Sequence, residues 1–264
     1  MRALLLSDDL HLHVREDGDP DGRPVVFANS LGTDLRLWDA VLPHLPAGLR
    51  LIRYDMRGHG LSAVPPPPYA MEDLILDAAH VCEAFDVSDT LFIGLSIGGM
   101  VAQGLAQRRP DLVGAAVLSN TAPVIGTPAL WADRIAQVGA GGTEALADAA
   151  MARWFSAEFR AGAEVELWRR MVAGTPDAGY AGCSAAIAET DLTDATAALS
   201  LPVLAIAGSE DGSTPPDLVR AMADSIPGAS YALIEGAGHL PCVEMPAAYA
   251  RLITEFLGTL GATG

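Results

Sequence analysis

Two kinds of apolar patterning alternate along this chain. Short, solidly apolar runs read as buried strands, and longer stretches with apolar residues every three or four positions read as amphipathic helices. Residues 3–16 form two short strands, and the alternation in His11-Leu12-His13-Val14 puts both histidines on one face, expected to be solvated. Turn residues fill Asp17 to Pro24, after which Val25-Val26-Phe27-Ala28 is a buried strand. The loop Asn29-Ser30-Leu31-Gly32-Thr33-Asp34 leads into a helical stretch around Trp38 to Leu45. Leu51 to Tyr54 is the next strand. Four prolines at 65–68 stiffen the loop before a helix from Met71 to Phe85. Thr90 to Ile93 is then a strand, Ile97 to Arg108 a helix, and Val113 to Ser119 a further strand.

From Ala122 to Ala198 the strand signals stop. Four helical pieces are expected there, broken at Gly139 to Gly142, Gly174 and Gly179. Thr127-Pro128 and Thr143-Glu144 are good helix starts, with threonine as N-cap and, in the first, proline at the first helical position. Strand–helix alternation resumes with Val203 to Ala207, Pro216 to Ser225, Ser230 to Ile234 and Ala247 to Leu257. Such alternation, interrupted once, predicts an α/β fold with a mostly parallel sheet flanked by helices. The core would comprise residues 1–121 and 199–264, with a helical cap, 122–198, inserted in it.

Half of the 264 residues are hydrophobic, enough for a large core, and the formal net charge is −17. Nucleic acids and anionic membrane surfaces are therefore poor partners, and an anionic ligand would need a local cation to offset the field. All 16 basic residues are arginine. Without lysine there is no Walker-type phosphate loop, Schiff-base chemistry or Ser–Lys catalysis. Cys82, Cys183 and Cys242 are scattered, as free thiols in a reducing compartment would be. Leu4-Leu5-Leu6 gives way at once to Ser7-Asp8-Asp9, too short a run for a signal peptide, and no stretch is long enough to span a membrane. The expectation is a cytoplasmic protein acting on a small molecule, with its oligomeric state open.

The candidate chemistry centres on Gly94-Leu95-Ser96-Ile97-Gly98, the G-x-S-x-G nucleophile elbow with a strand before it and a helix after. So tight a turn leaves no room for side chains beside the serine, a need that Gly94 and Gly98 meet. Serine needs a base, and the base an orienting carboxylate. The order expected for such an elbow is serine, acid, histidine. His239 is the only histidine after Ser96, between glycines on a loop leaving the last strand. For the acid, Asp211 and Glu210 both follow the strand 203–207; Asp211 is favoured because it reaches further toward the site. Asn120, at the end of the preceding strand, cannot act as a carboxylate, and Glu235 and Glu244 read as surface charges. Acyl transfer also needs oxyanion donors, expected from the backbone N–H groups of Ile97 and Leu31. Nucleophile, base, acid and donors are all protein groups, so no metal or organic cofactor is expected.

These motifs carry a resemblance. The scaffold resembles the α/β-hydrolase fold. The segments 27–33 (Phe-Ala-Asn-Ser-Leu-Gly-Thr), 54–60 (Tyr-Asp-Met-Arg-Gly-His-Gly), 94–99 and 236–239 together resemble the 3-oxoadipate enol-lactonases of the β-ketoadipate pathway of aromatic catabolism. The likeness extends into the cap at 151–155 and 179–183 and covers nearly the whole chain. Many relatives carry His-Gly where this chain has Asn29-Ser30. Asp55, Arg57 and His59 read as bracing their own loop. The resemblance implies a small lactone with an acetate side chain, and hence a cation near the pocket. Leu130, Trp131, Arg134, Ile135 and Val138 share one helix face. Arg134 there is either that cation or a snorkelling side chain. Trp131 and Trp154 could wall the same pocket, Trp154 alternatively being plain core. Two other readings stay open: a general carboxylesterase or cofactor-free perhydrolase with the same triad, and a small-molecule receptor on a hydrolase scaffold.

Overall fold

The computed structural model describes residues 2–7 and 9–260; Asp8, in the polar break after the first leucines, lies outside them. Eight strands form one sheet: β1 (Arg2–Ser7), β2 (Leu10–Gly18), β3 (Arg23–Ala28), β4 (Leu49–Tyr54), β5 (Thr90–Leu95), β6 (Val113–Ser119), β7 (Val203–Gly208) and β8 (Ser230–Ile234). Their order is β1-β2-β4-β3-β5-β6-β7-β8. The first two pair antiparallel with each other and with β4, and from β4 onward every pairing is parallel. Five helices lie against this sheet: α1 (Met71–Ala84), α2 (Ile97–Arg108), α9 (Pro216–Ser225), α10 (Pro241–Glu244) and α11 (Pro246–Leu260).

Both sheet faces are covered, which explains the solid apolar runs. Period-two alternation sorts each strand's side chains between two cores. On one face Val26, Phe92 and Ala116 meet Leu74 of α1, Val101 and Leu105 of α2, and Met222 of α9. On the other, Val25, Phe27, Leu91, Ile93 and Val117 meet Trp38 and the Tyr249, Ile253 and Phe256 side of α11. β3 lies between β4 and β5, so the chain moves outward in both directions from the β3/β5 pair. Ligands in open α/β sheets bind at the carboxyl ends of strands flanking such a switch point. Here those ends carry the Asn29–Asp34 loop and Ser96.

Between β6 and β7 the chain makes six helices, not four: α3 (Pro128–Gly141), α4 (Glu144–Trp154), α5 (Ala157–Arg160), α6 (Val165–Ala173), α7 (Asp177–Ala188) and α8 (Thr193–Ala197). Helices begin at both expected starts, and the Thr127 hydroxyl caps by accepting from the Leu130 N–H, whereas the Thr143 hydroxyl makes no cap bond and donates instead to Ala173 O and Thr175 O. Gly179 does not break a helix. It lies inside α7, where a Cβ would collide with the backbone of Gly58. The glycine is required by that close approach, and the sequence signal for a break was a signal for contact.

The stretch around Trp38 to Leu45 is also not a single helix. It forms two 3₁₀ turns, Leu35–Trp38 and Leu42–His44, the first capped by Asp34, whose side chain accepts from the Arg36 N–H. Nor is His13 solvated. Its Nδ1 lies 2.7 Å from Asp55 Oδ2, and Asp55 also accepts from the N–H groups of Leu35 and Leu61, so the expected brace is real and recruits a histidine. The cysteines are free and buried, and among the described residues no helix is long and apolar enough to cross a membrane.

Candidate active site

Ser96 sits between β5 and α2 with φ 59° and ψ −119°. A non-glycine residue there carries strain of about 1–3 kcal/mol and persists only if its surroundings over-determine it. They do, through the backbone: the Ser96 N–H donates to Ser119 O (3.0 Å), and the Ser96 carbonyl accepts from Thr121 Oγ1 (2.7 Å). A Cβ on Gly94 would meet the Gly98 carbonyl, and one on Gly98 the carbonyls of Ala28 and Asn29. The two glycines let β5, α2 and the neighbouring strand close to backbone contact.

The Asn29–Asp34 loop is pinned from three sides. Asn29 Nδ2 donates to Tyr54 O (2.7 Å), and Asn29 Oδ1 accepts from Trp38 Nε1 (2.7 Å). The Gly32 N–H donates to His59 Nε2 (3.0 Å). Burial pushes the His59 pKa down to about 4, so the ring is neutral with its proton on Nδ1. Asn29 and His59 are thus positioning groups for this loop. Among the described residues the N–H groups of Leu31 and Ile97 have no protein acceptor, as oxyanion donors require. That of Ile97 also opens α2, at the positive end of its dipole.

Asp211 and His239 meet across the ends of β7 and β8. His239 Nδ1 lies 2.9 Å from Asp211 Oδ2, which also accepts from Asn120 Nδ2 (2.9 Å) and Thr214 Oγ1 (2.7 Å). Asp211 Oδ1 takes the N–H groups of Ser213 (2.7 Å) and Thr214 (3.0 Å). Burial alone would raise this carboxyl, but the imidazole and these donors outweigh it and hold Asp211 below the usual carboxylate range. An ionised Asp211 accepts only, so Nδ1 carries the His239 proton and Nε2 is free to act as a base. Asn120 is no bystander. At φ 47°, at the end of β6, it donates to the carboxylate from the place where an alternative acid would sit. Glu210 is exposed and outside this network.

Ser96 and His239 line one cavity of about 140 Å³, together with Ser30, Leu31, Trp131, Arg134, Trp154 and Tyr180. Its wall also holds Arg153, and no carboxylate. The Arg134 guanidinium lies 4.5 Å from the centre of the Trp131 ring, and Trp131 is fixed by its Nε1 donating to Ile125 O (2.6 Å). Arg153 is half-buried, and its Nε has no hydrogen-bond partner. Burial, and secondarily the charge of Arg134, lowers its pKa. Among the described residues neither arginine is ion-paired, whereas most others are. In the sequence Arg153 extends the apolar row Leu146, Ala150 along α4. A larger groove of about 590 Å³ lies beside Thr33 and Asp34, but its Arg36 and His13 are already paired, with Asp34 and Asp55.

The last turn of α4 is fastened to the loops that carry Asp211 and His239. Arg153 O accepts from the Gly212 N–H (3.1 Å) and Trp154 O from the His239 N–H (2.7 Å). Glu244, expected as a surface charge, completes the joint. It accepts from the Gly238 N–H (2.7 Å) and from both N–H (3.0 Å) and Oγ (2.5 Å) of Ser156. Burial raises its pKa, against the pull of those donors.

A family model described as alpha/beta hydrolase fold matches residues 23–246. The chain belongs to the α/β-hydrolase fold family. Over 251 residues it is 32% identical to 3-oxoadipate enol-lactonase 2 of Acinetobacter baylyi, covering 94% of each chain. It superposes on the enol-lactonase of Burkholderia xenovorans LB400 with a TM-score of 0.91 and 34% identity, covering 95% of this chain and 98% of that one. A non-heme chloroperoxidase of Streptomyces lividans is also similar, at 30% identity over 90% of this chain and 93% of its own. In this α/β hydrolase, Glu244→Gln keeps the shape but turns an amide N–H toward a donor of Gly238 or Ser156. It is expected to lower kcat about tenfold for any ester it hydrolyses, through displacement of His239. An unchanged kcat in a correctly folded variant would reduce Glu244 to a surface group.

Proposed function

We propose that this α/β hydrolase opens a small anionic lactone, the 3-oxoadipate enol-lactone named for its relatives, through an acyl-enzyme on Ser96. The observation that carries this reading is the pair of unpaired guanidiniums, Arg134 and Arg153, in the same cavity as Ser96 and His239. A half-buried cation without a counter-ion is costly to keep, and in a chain of net charge −17 an anionic ligand is the natural partner. Size agrees: about 140 Å³ is below the usual 300–1,000 Å³ of drug-sized pockets and excludes long acyl chains.

In this mechanism the guanidiniums hold the carboxylate of the acetate side chain, which sets the lactone carbonyl against Ser96. Ser96 Oγ attacks the carbonyl carbon while His239 Nε2 takes its proton, and Asp211 stabilises the resulting imidazolium. The N–H groups of Leu31 and Ile97 receive the oxyanion. Collapse breaks the ring C–O bond, the departing enolate takes the proton from His239, and the enol becomes a ketone. Water, activated by His239, then cleaves the acyl-enzyme.

The deciding experiment compares steady-state hydrolysis of the enol-lactone with that of p-nitrophenyl acetate, in the wild type and in Arg134→Met and Arg153→Met. Each methionine keeps an apolar stem and removes one charge. Each should lower kcat/KM for the lactone about ten- to a hundredfold, the value of one charge-assisted hydrogen bond, and spare the neutral ester. Equal losses on both substrates would mean cap packing. A wild type that prefers the neutral ester would favour the general esterase or perhydrolase reading, to which the chloroperoxidase relative lends weight.

A further inference from the structure

We infer that the cavity around Ser96 is also a ground-state binding site for free dicarboxylates, so that the product acid competes with the lactone. This deepens the lactone reading and rests on it for the identity of the product. A lactone presents one anion, its side-chain carboxylate, to Arg134 and Arg153, and only a neutral carbonyl to the other end of the cavity. Hydrolysis opens the ring, turns the enol oxygen into a ketone, and converts that carbonyl into an acid. Water adds to the acyl carbon, the bond to Ser96 Oγ breaks, Ser96 regains a proton, and the new carboxylic acid sheds one.

His239 is the base within reach of that proton, and its imidazolium would face Asp211 Oδ2 at 2.9 Å. The side-chain carboxylate of the bound diacid still has Arg134 and Arg153 to meet it. The diacid adds a second anion where the Leu31 and Ile97 N–H groups have no other acceptor among the described residues. Other acids do not take over either end: no carboxylate lines the cavity, and Glu244, which accepts from the Gly238 N–H beside His239, is spent on Gly238 and Ser156. The oxyanion donors, arranged for a transition-state charge, thus also serve a stable one.

The test uses wild-type enzyme and two ligands it cannot hydrolyse, adipate and hexanoate, which share a chain length and differ by one carboxylate. Each is titrated by calorimetry and as an inhibitor of p-nitrophenyl acetate hydrolysis. Adipate should compete with the ester and bind about tenfold or more tightly than hexanoate. Arg153→Met should bring adipate to the level of hexanoate in the calorimetric titration. Equal binding of the two acids, or adipate binding that leaves ester hydrolysis untouched, would overturn the inference. The lactone is not used, so a failure of the lactone reading appears in the steady-state comparison and a failure of this inference appears here.

Discussion

Ser96→Ala is expected to leave a folded protein whose turnover is lower by about six powers of ten, as in hydrolases where the nucleophile of a cooperating triad is removed. Folding should survive because nothing holding the elbow uses the hydroxyl. The bonds to Ser119 O and from Thr121 Oγ1 are made by the Ser96 backbone. Alanine keeps the Cβ, so the strain at φ 59° is the same in both proteins. The loss is then chemical. A phosphonate probe should label the wild type at Ser96 and leave the variant unlabelled. Undiminished hydrolysis by the alanine variant would remove the acyl-enzyme and every step built on it.

The second large effect is expected at Asp211. Its two oxygens take five donors, so an amide NH₂ in place of either oxygen must face groups that themselves donate. If the NH₂ turns to Ser213 and Thr214, two backbone N–H groups lose their acceptor. If it turns to His239, the imidazole must present a bare Nδ1 and carry its proton on Nε2, where it can no longer act as a base toward Ser96. Asp211→Asn should therefore lower kcat about 10⁴-fold, the loss seen when a triad aspartate is amidated and the wrong tautomer results. Glu210→Gln, at an exposed neighbour, is the control and should change little. A crippled Glu210 variant beside a mild Asp211 variant would reverse the choice of acid.

The parts legible in sequence were those in which a local pattern carries its own geometry. The strand, Gly-Leu-Ser-Ile-Gly and helix predict the elbow because glycines are forced by a turn within five residues. His239 follows by elimination and Asp211 from the end of a strand. What escaped depends on residues far apart. The Glu244–Ser156 bond spans 88 positions and that of Asn120 to Asp211 spans 91, and nothing local announces either. Gly179 misled for the same reason, since its partner Gly58 lies on a different layer. Arg134 is conspicuous in the sequence because its whole helix face reads as apolar. Arg153 sits on a helix of weaker amphipathicity, and it is its Nε, buried without a partner among the described residues, that marks it out.

The joint at the end of α4 bears on how specificity could be transplanted. Exchanging the whole insertion, 122–198, for that of another hydrolase would move the pocket wall. It would also replace the main-chain acceptors at 153 and 154 that seat the acid and histidine loops, and the serine that satisfies Glu244. A chimera cut at the obvious borders would inherit a new pocket and displaced Asp211 and His239 loops. One that grafts only 127–151 and 160–188, keeping residues 152–159 and Glu244 native, would change the pocket wall while leaving the Asp211 and His239 loops on their original supports.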